Sequence, residues 1–258
     1  MKRYVLELHR RRDLIAYLVT SGLKAQHRNA VLGYLWWLLD PLLGVLIYYF
    51  VVAILFGRGG EGYGPYLIVG MVVWRWLGST IGAASGTIVR QAGIVTQVYL
   101  PKIVFPVTEA MTGLVNFGFG LLVVAIIFLA WSIRPGLAVL WLPCIALVQL
   151  LFTMALASIV AYVGVFLRDA ETMMSHVVRI WFFASPVIWQ VDLIPEGARW
   201  LLDLNPIAHL LTAYRDVLIG NQGPSPGPLV ALGILSLAVL MGMTFIYSRY
   251  EHRMIKVL

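Results

Sequence analysis

The stretch Ile103–Trp131 reads IVFPVTEAMTGLVNFGFGLLVVAIIFLAW, and Glu109 is its only ionisable side chain. About 20 apolar residues in a helix cross the roughly 30 Å hydrocarbon core of a bilayer, so this stretch predicts a transmembrane helix. Further apolar stretches lie on both sides of it along the chain. They are Val31–Phe56, Tyr66–Val89, Val139–Leu167, Met173–Trp189 and Leu229–Tyr247. The sequence therefore predicts an all-α membrane protein with six transmembrane helices.

The composition of the whole chain indicates the same class. Of the 258 residues, 60% are hydrophobic and 12% are charged, whereas a soluble domain carries roughly a quarter charged residues. The net charge of +7 would suggest a nucleic-acid partner in a soluble protein. Here the basic residues cluster at one set of helix ends, which contact with a membrane surface explains better. We expect no nucleic-acid partner, and the single Cys144 excludes an intrachain disulfide.

The Lys and Arg residues divide unequally between the two ends of the predicted helices. Thirteen lie on the side that carries both termini, and Arg75 and Arg179 lie within spans. The other side has only Arg58, Arg134, Arg199 and Arg215. Positively charged loops favour the cytoplasmic side of a membrane. We therefore expect a multi-pass membrane protein with both termini in the cytoplasm.

The chain divides into parts within a single transmembrane domain. Residues 1–30 mix apolar side chains with the basic run Arg10–Arg12, which predicts an amphipathic helix lying in the membrane interface. Residues 31–190 hold spans one to five, and residues 229–258 hold the sixth span and a cytoplasmic tail. In the external segment 191–228, Pro195 and Asn205-Pro206 predict short re-entrant helices that dip back into the outer leaflet. The alternative is a surface loop packed on the spans.

Residues suited to catalysis are sparse. The five histidines are scattered, and they show no spacing typical of a metal site. The chain has no Gly-x-x-x-x-Gly-Lys-Ser/Thr loop to bind ATP phosphates and no Gly-x-Ser-x-Gly nucleophile motif. We expect a non-catalytic chain that holds no metal and no cofactor of its own.

Ionisable side chains inside predicted spans are costly to bury in lipid and are therefore candidate functional residues. They are Asp40, Arg75, Glu109 and Arg179. We predict ion pairs that bridge helices, one between Asp40 and Arg75 and one between Glu109 and Arg179. The alternative is that each side chain reaches an interface or faces a watery cavity.

Glycines and aromatic rings are prominent in the spans. The Gly-x-x-x-Gly-x-x-x-Gly pattern from Gly78 to Gly86 predicts the close approach of a neighbouring helix. Aromatic rings inside membranes mostly form interface belts or core packing. The alternative is a track on which sugar rings stack. The candidates for such a track are Trp36, Trp37, Tyr48, Tyr49, Trp74, Trp181, Phe182, Phe183 and Trp189.

Several strings along the chain resemble those of a known family. They are Leu32–Trp36 followed by Pro41, Phe105-Pro106, Phe166–Asp169, Ser185–Ile188, Ile194-Pro195, Leu204–Pro206 and Tyr214–Asp216. With these strings, the chain resembles the permease subunits of type-2 ABC exporters, in particular those that export O-antigen and related lipid-linked polysaccharides. The likeness extends over nearly the whole chain. Arg75 departs from the family pattern, which has a neutral residue there.

The resemblance implies a homodimer in which each copy sits on a separate ATP-binding cassette subunit, and that subunit binds ATP and Mg. It implies that Gln91–Tyr99 is a coupling helix that docks into the ATPase and that Arg168-Asp169 is a second contact. The coupling candidates are Gln91, Val95, Gln97, Tyr99, Arg168 and Asp169. The external segment would supply gate helices over a channel exit. The gate candidates are Pro195, Trp200, Asn205, Pro206, Tyr214 and Arg215.

The resemblance implies the channel-forming subunit of an ATP-driven exporter of lipid-linked polysaccharide, in the bacterial cytoplasmic (inner) membrane and in the pathway of lipopolysaccharide biosynthesis. The aromatic track would line the channel. Basic residues at the cytoplasmic entrance would meet the lipid pyrophosphate head, unless they serve only to set the topology. They are Arg10, Arg11, Arg12, Lys24 and Arg28. Alternatives are a type-2 permease for teichoic acid, capsule polysaccharide or a small lipid or drug, an ion-coupled transporter, a membrane enzyme for lipid-linked sugars and a structural scaffold.

Overall fold

The structure, a computed structural model, describes residue 7 and residues 11–26, 32–60, 62–93 and 100–257. Throughout these ranges the regular structure is helical, without a strand. The main helices are α1 (Arg12–Gln26), α2 (Trp36–Tyr49), α3 (Tyr63–Arg90), α4 (Val104–Ala130), α5 (Leu142–Phe166), α6 (Ala170–Ala184), α7 (Pro206–Leu218) and α8 (Pro226–Val257). Shorter helical pieces are Gly33–Leu35, the π-helical Phe50–Leu55 that continues α2, Leu137–Trp141 that precedes α5, Val191–Leu193, Glu196–Ala198 and Trp200–Asp203.

Among the residues described, five helices are long and apolar enough to cross a membrane. They are Trp36–Leu55, Tyr63–Arg90, Val104–Ala130, Leu137–Phe166 and Pro226–Met254. They coincide with five of the predicted spans. The last helix continues beyond the predicted end at Tyr247, because the basic residues that follow are good helix formers.

The predicted fifth span differs from the structure. The sequence predicts a span over Met173–Trp189 that Pro186 interrupts, and in the structure α6 ends at Ala184 after 15 residues. Ser185 is extended, with φ −107° and ψ 147°, because the residue before a proline is driven out of the α region. Pro186 also has no N–H for a helical hydrogen bond. The interruption expected at Pro186 is therefore confirmed, a fifth crossing in this stretch stays a prediction, and the non-helical stretch Ser185–Trp189 is called the break below.

Helix α3 is the centre of the bundle. It packs against α2, α4, α5, α6 and α7, while α8 packs mainly against α5. In the most apolar part of α3, 72% of the residues are buried, against 11% in α2 and its continuation. Helix α2 therefore lies at the edge of the chain with most of its apolar surface uncovered.

The helices alternate in direction and so define two ends of the bundle. The basic end carries the end of α3 at Arg90 and the turn between α5 and α6 at Arg168. The far end carries the turn between α2 and α3 and the turn that follows α4. In the first of these, Gly62 has φ 82° where α3 begins, a backbone conformation that glycine adopts without strain.

Candidate functional site

Helix α6 lies antiparallel along α3. At the basic end, Glu171 of α6 forms an ion pair with Arg90 of α3. Near the middle of α3, Gly78 faces α6 so closely that a Cβ atom there would lie 3.1 Å from Val178 Cγ1. The predicted close approach along the glycine pattern is thus confirmed at Gly78, and the approaching helix is α6.

After α6 ends, the break continues along α3 toward the beginning of that helix. A non-helical backbone inside a bundle leaves carbonyl groups that need donors from elsewhere. Tyr63 Oη donates to the Ile188 carbonyl oxygen over 2.7 Å, and Tyr66 Oη donates to the Trp189 carbonyl oxygen over 2.9 Å. Both tyrosines lie in the first turn of α3. Side chains of α3 therefore bind the end of the break.

Arg215 on α7 binds the beginning of the break. Its Nη1 donates to the Pro186 carbonyl oxygen over 2.7 Å, and its Nη2 donates to the Val187 carbonyl oxygen over 3.0 Å. The same Nη2 lies 3.3 Å from the Tyr66 carbonyl oxygen. Arg215 is only 8% exposed. The guanidinium group thus joins α7, the break and α3 at one buried point.

The charge of Arg215 is balanced without an acid. In the described part of the chain it forms no ion pair with a carboxylate. Its guanidinium carbon lies 3.4 Å from the centroid of the Tyr66 ring, which attracts the cation. Gly70 makes room for this arrangement, because a Cβ atom there would lie 2.5 Å from Arg215 Nη2 and 2.7 Å from the Val187 carbonyl oxygen.

Asn205, directly before α7, fastens the segment to the end of α6. Its Oδ1 accepts from Trp181 Nε1 over 3.0 Å. Its Nδ2 donates to Ser185 Oγ over 2.9 Å and lies 3.4 Å from the Ala184 carbonyl oxygen. Pro206 then opens α7 at the helix position that proline tolerates best. Asn205 therefore ties the beginning of α7 to the end of α6.

The two ends of the stretch from Gln190 to Asn221 contact the far end of the bundle. Gln190 Nε2 donates to the Gly59 carbonyl oxygen over 3.3 Å, and Asn221 Oδ1 accepts from the backbone N–H of Ala138 at 3.5 Å. Between these contacts the chain reaches Asn205 beside Trp181 and returns along α7. The chain from Gln190 to Asn221 thus contacts the far end at both of its ends and α6 at Asn205.

The predicted gate residues separate into two groups. Asn205, Pro206, Tyr214 and Arg215 belong to the packed part; Tyr214 is 0% exposed, and its ring lies 5.6 Å from that of Phe117. Pro195 and Trp200 are exposed, on the stretch between Gln190 and Asn205. Their role as a gate stays a prediction.

The predicted aromatic track is partly core. Trp74 and Phe182 are buried and pack together, with ring centroids 5.7 Å apart. Phe182 also packs on Tyr48, Trp37 packs on Phe119, and Tyr49 packs on Tyr63. Those left at least partly exposed are Trp36, Trp37, Tyr48, Tyr49, Trp181, Phe183 and Trp189. A channel-lining role stays a prediction. Only the partly exposed rings have surface that a substrate could contact.

One of the two predicted intramembrane ion pairs is confirmed. Arg75 Nη2 lies 2.7 Å from Asp40 Oδ2 and joins α3 to α2. The predicted pair of Glu109 with Arg179 is wrong within the chain. Glu109 accepts from Thr87 Oγ1 over 2.9 Å, and Arg179 is exposed on α6. The carboxylate of α4 thus takes a hydrogen bond from a hydroxyl on α3 and forms no ion pair with Arg179 of α6.

At the basic end, the described members of the predicted coupling and head-group sets are on the surface. Arg168 and Asp169 are exposed in the turn between α5 and α6, and Gln91 is partly exposed directly after α3. Helix α1 packs against α4 with Val19 buried, while Arg11, Arg12 and Lys24 are exposed. Arg10, Arg28, Val95, Gln97 and Tyr99 lie outside the described residues.

Sequence reasoning missed a buried ion pair at the same end. Lys102 Nζ lies 3.1 Å from Glu251 Oε1, and the two side chains are 0% and 6% exposed. The backbone N–H of Lys102 donates to the same oxygen over 3.2 Å. The pair ties the beginning of α4 to the last part of α8. Lys102 resembles the other basic residues near helix ends, and nothing in its local sequence indicates burial.

Potential metal ligands are dispersed in the structure. Across the described ranges, no group of three or more His, Cys, Asp and Glu side chains is placed to hold a metal ion.

Comparison with known proteins assigns the fold to a family. The family model described as ABC-2 type transporter matches residues 13–219. A relative from Myxococcus xanthus, named O-antigen export system permease protein RfbA, is 33% identical over 254 residues, which cover 97% of this chain and 98% of the relative. A relative of the same name from Klebsiella pneumoniae is 28% identical over 210 residues, 81% of each chain. The chain therefore belongs to the ABC-2 type transporter family and is a multi-pass membrane protein.

Proposed function

We propose that this chain is the permease subunit of an ATP-driven exporter that moves lipid-linked polysaccharide of the O-antigen type across the bacterial cytoplasmic membrane. The observation that carries the proposal is the 33% identity, nearly end to end, with a relative named as an O-antigen export permease. Energy would come from a separate ATP-binding cassette subunit that holds ATP and Mg, and the permease itself would catalyse no reaction.

In this proposal the chain crosses the membrane six times, and α6 with the break forms the fifth crossing. Helix α6 with its 15 residues spans about 22 Å, short of the roughly 30 Å hydrocarbon core. The break supplies the remainder alongside the first turns of α3. Non-helical backbone at membrane depth requires internal hydrogen-bond partners. The donors Tyr63, Tyr66 and Arg215 meet that requirement.

The basic end would face the cytoplasm, and both termini would lie there. Positively charged loops favour that side, and thirteen of the 19 Lys and Arg residues are on it by the sequence division above. The segment from Gln190 to Asn221 would then lie on the external side. The contacts of Asn205 with α6 and of Arg215 with the break support a pair of re-entrant gate elements over the channel exit in this segment.

The working unit would be a homodimer with a two-fold axis, carried by two ATPase subunits. Its seam would form the channel, beside which the partly exposed aromatic rings would lie. Gln91–Tyr99 and Arg168-Asp169 would dock into the ATPase. Two ion pairs support this role: Arg90 pairs with Glu171 directly before the docking segment, and the buried Lys102 pairs with Glu251 directly after it. ATP-driven movement of the segment would thus reach α6 and α8 at once.

A cellular experiment tests the substrate. Deleting the gene for this chain in its host should remove the polysaccharide from the cell surface and leave lipid-linked polymer inside. The intact chain should restore the surface polymer together with its active ATPase partner, and it should fail with a partner whose catalytic glutamate is replaced. Normal surface polysaccharide in the deletion strain, together with loss of a different exported lipid or drug, would contradict the proposal.

A further inference from the structure

A cavity of about 280 Å³ lies between α2, α3 and α4. Trp37 and Pro41 of α2 line it, together with side chains of α3 between positions 72 and 83 and of α4 between positions 109 and 120. A single water molecule needs only about 10–15 Å³ of such space. The cavity therefore has room for a small organic group.

The charged side chains at this cavity sum to one negative charge. Arg75 lines the cavity, and its Nη2 lies 2.7 Å from Asp40 Oδ2, so this cation is paired. Glu109 also lines the cavity, and in the described part of the chain it forms no ion pair. It accepts a hydrogen bond from Thr87 Oγ1, and a carboxylate can accept several more. Because an ionisable group inside a span is costly without a partner, the cavity attracts a cation.

Hydroxyl groups of the cavity wall offer acceptors to such a cation. Ser79 Oγ donates its proton to the Arg75 carbonyl oxygen over 2.6 Å, and Thr112 Oγ1 donates to the Thr108 carbonyl oxygen over 2.9 Å. A hydroxyl has one proton and two lone pairs, so only lone pairs of these two side chains remain for a ligand. The wall near Glu109 therefore favours a cation that brings N–H donors.

Thr80 is an independent sign of a ligand in the same cavity. Thr80 lines the cavity and is only 2% exposed, yet its Oγ1 has no hydrogen-bond partner among the residues described. Buried polar groups are nearly always paired. A Cβ atom at Gly113 would lie 2.5 Å from this oxygen, and Gly113 is about one helical turn from Glu109 on α4. The unpaired hydroxyl and the unpaired carboxylate thus belong to the same part of the cavity.

We propose that this cavity binds a primary ammonium group, with Glu109 as its counter-ion. Ser79, Thr80 and Thr112 accept hydrogen bonds from its N–H groups. Trp37 also lines the cavity, and tryptophan is the aromatic side chain that attracts cations most strongly. The inference goes beyond the proposed function, which assigns no ligand to α4.

The position of Glu109 decides which amines can reach the site. Glu109 lies about 8 Å from the beginning of α4, at the basic end, which is close to the level of lipid head groups. An ethanolamine phospholipid carries a primary ammonium group at that level, and a soluble amine carries the same group. Either ligand would join α2 to α3 and α4. Since α2 is otherwise mostly uncovered, occupancy should stabilise its position in the bundle.

Lipid binding to the full chain tests the proposal. The chain is purified in detergent and stripped of lipid, and native mass spectrometry measures dissociation constants for phospholipids with identical acyl chains. Their head groups are ethanolamine, choline and glycerol. Choline keeps the positive charge but has no N–H donor, and glycerol has no cation. The variant Glu109→Gln removes the charge and can still accept from Thr87, while Glu196→Gln makes the same change at an exposed position outside the cavity.

We expect the ethanolamine lipid to bind roughly tenfold more tightly than the choline lipid, and the glycerol lipid to bind most weakly. Glu109→Gln should remove this preference, and Glu196→Gln should keep it. Equal binding of ethanolamine and glycerol lipids, or an unchanged preference in Glu109→Gln, would overturn the site. Equal binding of ethanolamine and choline lipids would overturn the assignment to a primary ammonium group.

Thr80→Val separates a ligand contact from a structural role. The change removes the hydroxyl but no hydrogen bond of the ligand-free chain, so the midpoint of thermal unfolding without lipid should not fall. The affinity for the ethanolamine lipid should fall by a factor of roughly two to ten. Thr244→Val on α8 is the control, and it should leave that affinity unchanged. Unchanged affinity in Thr80→Val would leave water as the partner of this hydroxyl and would overturn its role in the site.

Competition with free ethanolamine distinguishes the two sources of the amine. Displacement of the ethanolamine lipid at similar concentrations would identify a soluble amine as the ligand, whereas a need for far higher concentrations would identify the lipid head group. Equal displacement by sodium ions would overturn the ammonium assignment. The measurement needs no export activity, so its outcome is independent of the proposed function.

Discussion

Arg215 holds a non-helical segment inside a helical bundle through a small number of strong contacts. Its fork bonds the carbonyl oxygens of Pro186 and Val187, and its flat face lies on Tyr66. An arginine suits this place because its planar donors match two neighbouring acceptors while the aromatic ring balances the charge. The rest of the break depends on the hydroxyls of Tyr63 and Tyr66.

Replacing Arg215 with lysine keeps the positive charge but removes the pair of N–H donors that bond the carbonyl oxygens of Pro186 and Val187. An ammonium group is a compact donor and will not bond both carbonyl oxygens in the same geometry. We expect one buried carbonyl to lose its partner and the free energy of unfolding to fall by about 1–3 kcal/mol. Denaturant unfolding in detergent measures the change, with Arg134→Lys in the exposed turn after α4 as control. Equal stability of the two variants would contradict this role for Arg215.

Replacing Lys102 with methionine should destabilise the chain more strongly. The change leaves Glu251 buried without its cation, which typically costs about 3–5 kcal/mol. The double variant Lys102→Met, Glu251→Leu should recover most of the loss, since no uncompensated charge remains. Arg90→Met breaks an exposed pair and should cost only about 0–1 kcal/mol. The same unfolding assay checks all three variants, and a lack of recovery in the double variant would count against the buried pair.

Single residues were predictable from sequence where chemistry demanded a partner nearby. Asp40 and Arg75 stand inside apolar stretches, so each needs the other, and the pair exists. Glu109 instead accepts a hydrogen bond from the hydroxyl of Thr87. Threonine is frequent in the sequence, so this partner could not be identified in advance. Lys102 and Glu251 are 149 positions apart, and burial of both became visible only in the folded chain.

At the scale of helices, the packing of α6 on α3 depends on a missing side chain. Gly78→Leu should force the two helices apart, because even a Cβ atom would lie 3.1 Å from Val178. Overpacking of this kind costs about 1–3 kcal/mol. Gly82→Leu, one turn further along α3, has nothing within 4 Å of its Cβ position and should be neutral or stabilising. Thermal unfolding of the two variants compares them, and a similar loss from both would show that close approach is not the cause.

The spans themselves were readable because length and apolar composition suffice to define a membrane helix. Five of the predicted stretches match long helices of the structure. The exception, Met173–Trp189, depends on Pro186, whose effect on Ser185 ends α6 early. The fold then compensates for the lost helical hydrogen bonds with donors from α3 and α7. Those donors lie far from the break in sequence, so the pattern of apolar residues gave no sign of them.

At the scale of the whole molecule, the chain leaves uncovered the surfaces that one subunit of the proposed homodimer would need. Its edge helix α2 is mostly uncovered, and the ion pair between Arg75 of α3 and Asp40 of α2 is partly exposed. In the proposed homodimer, two such surfaces face each other across the seam. The exposed turn at Arg168 and Asp169 then lies on the side of the ATPase.

The most direct measurement is transport in proteoliposomes that contain this chain and its ATPase partner. Lipid-linked polysaccharide is added to the leaflet on the ATPase side, and a glycosidase confined to the other side reports its arrival. The account predicts cleavage that requires ATP, the active ATPase and the permease together. Equal cleavage without ATP, or cleavage driven only by an ion gradient, would contradict it.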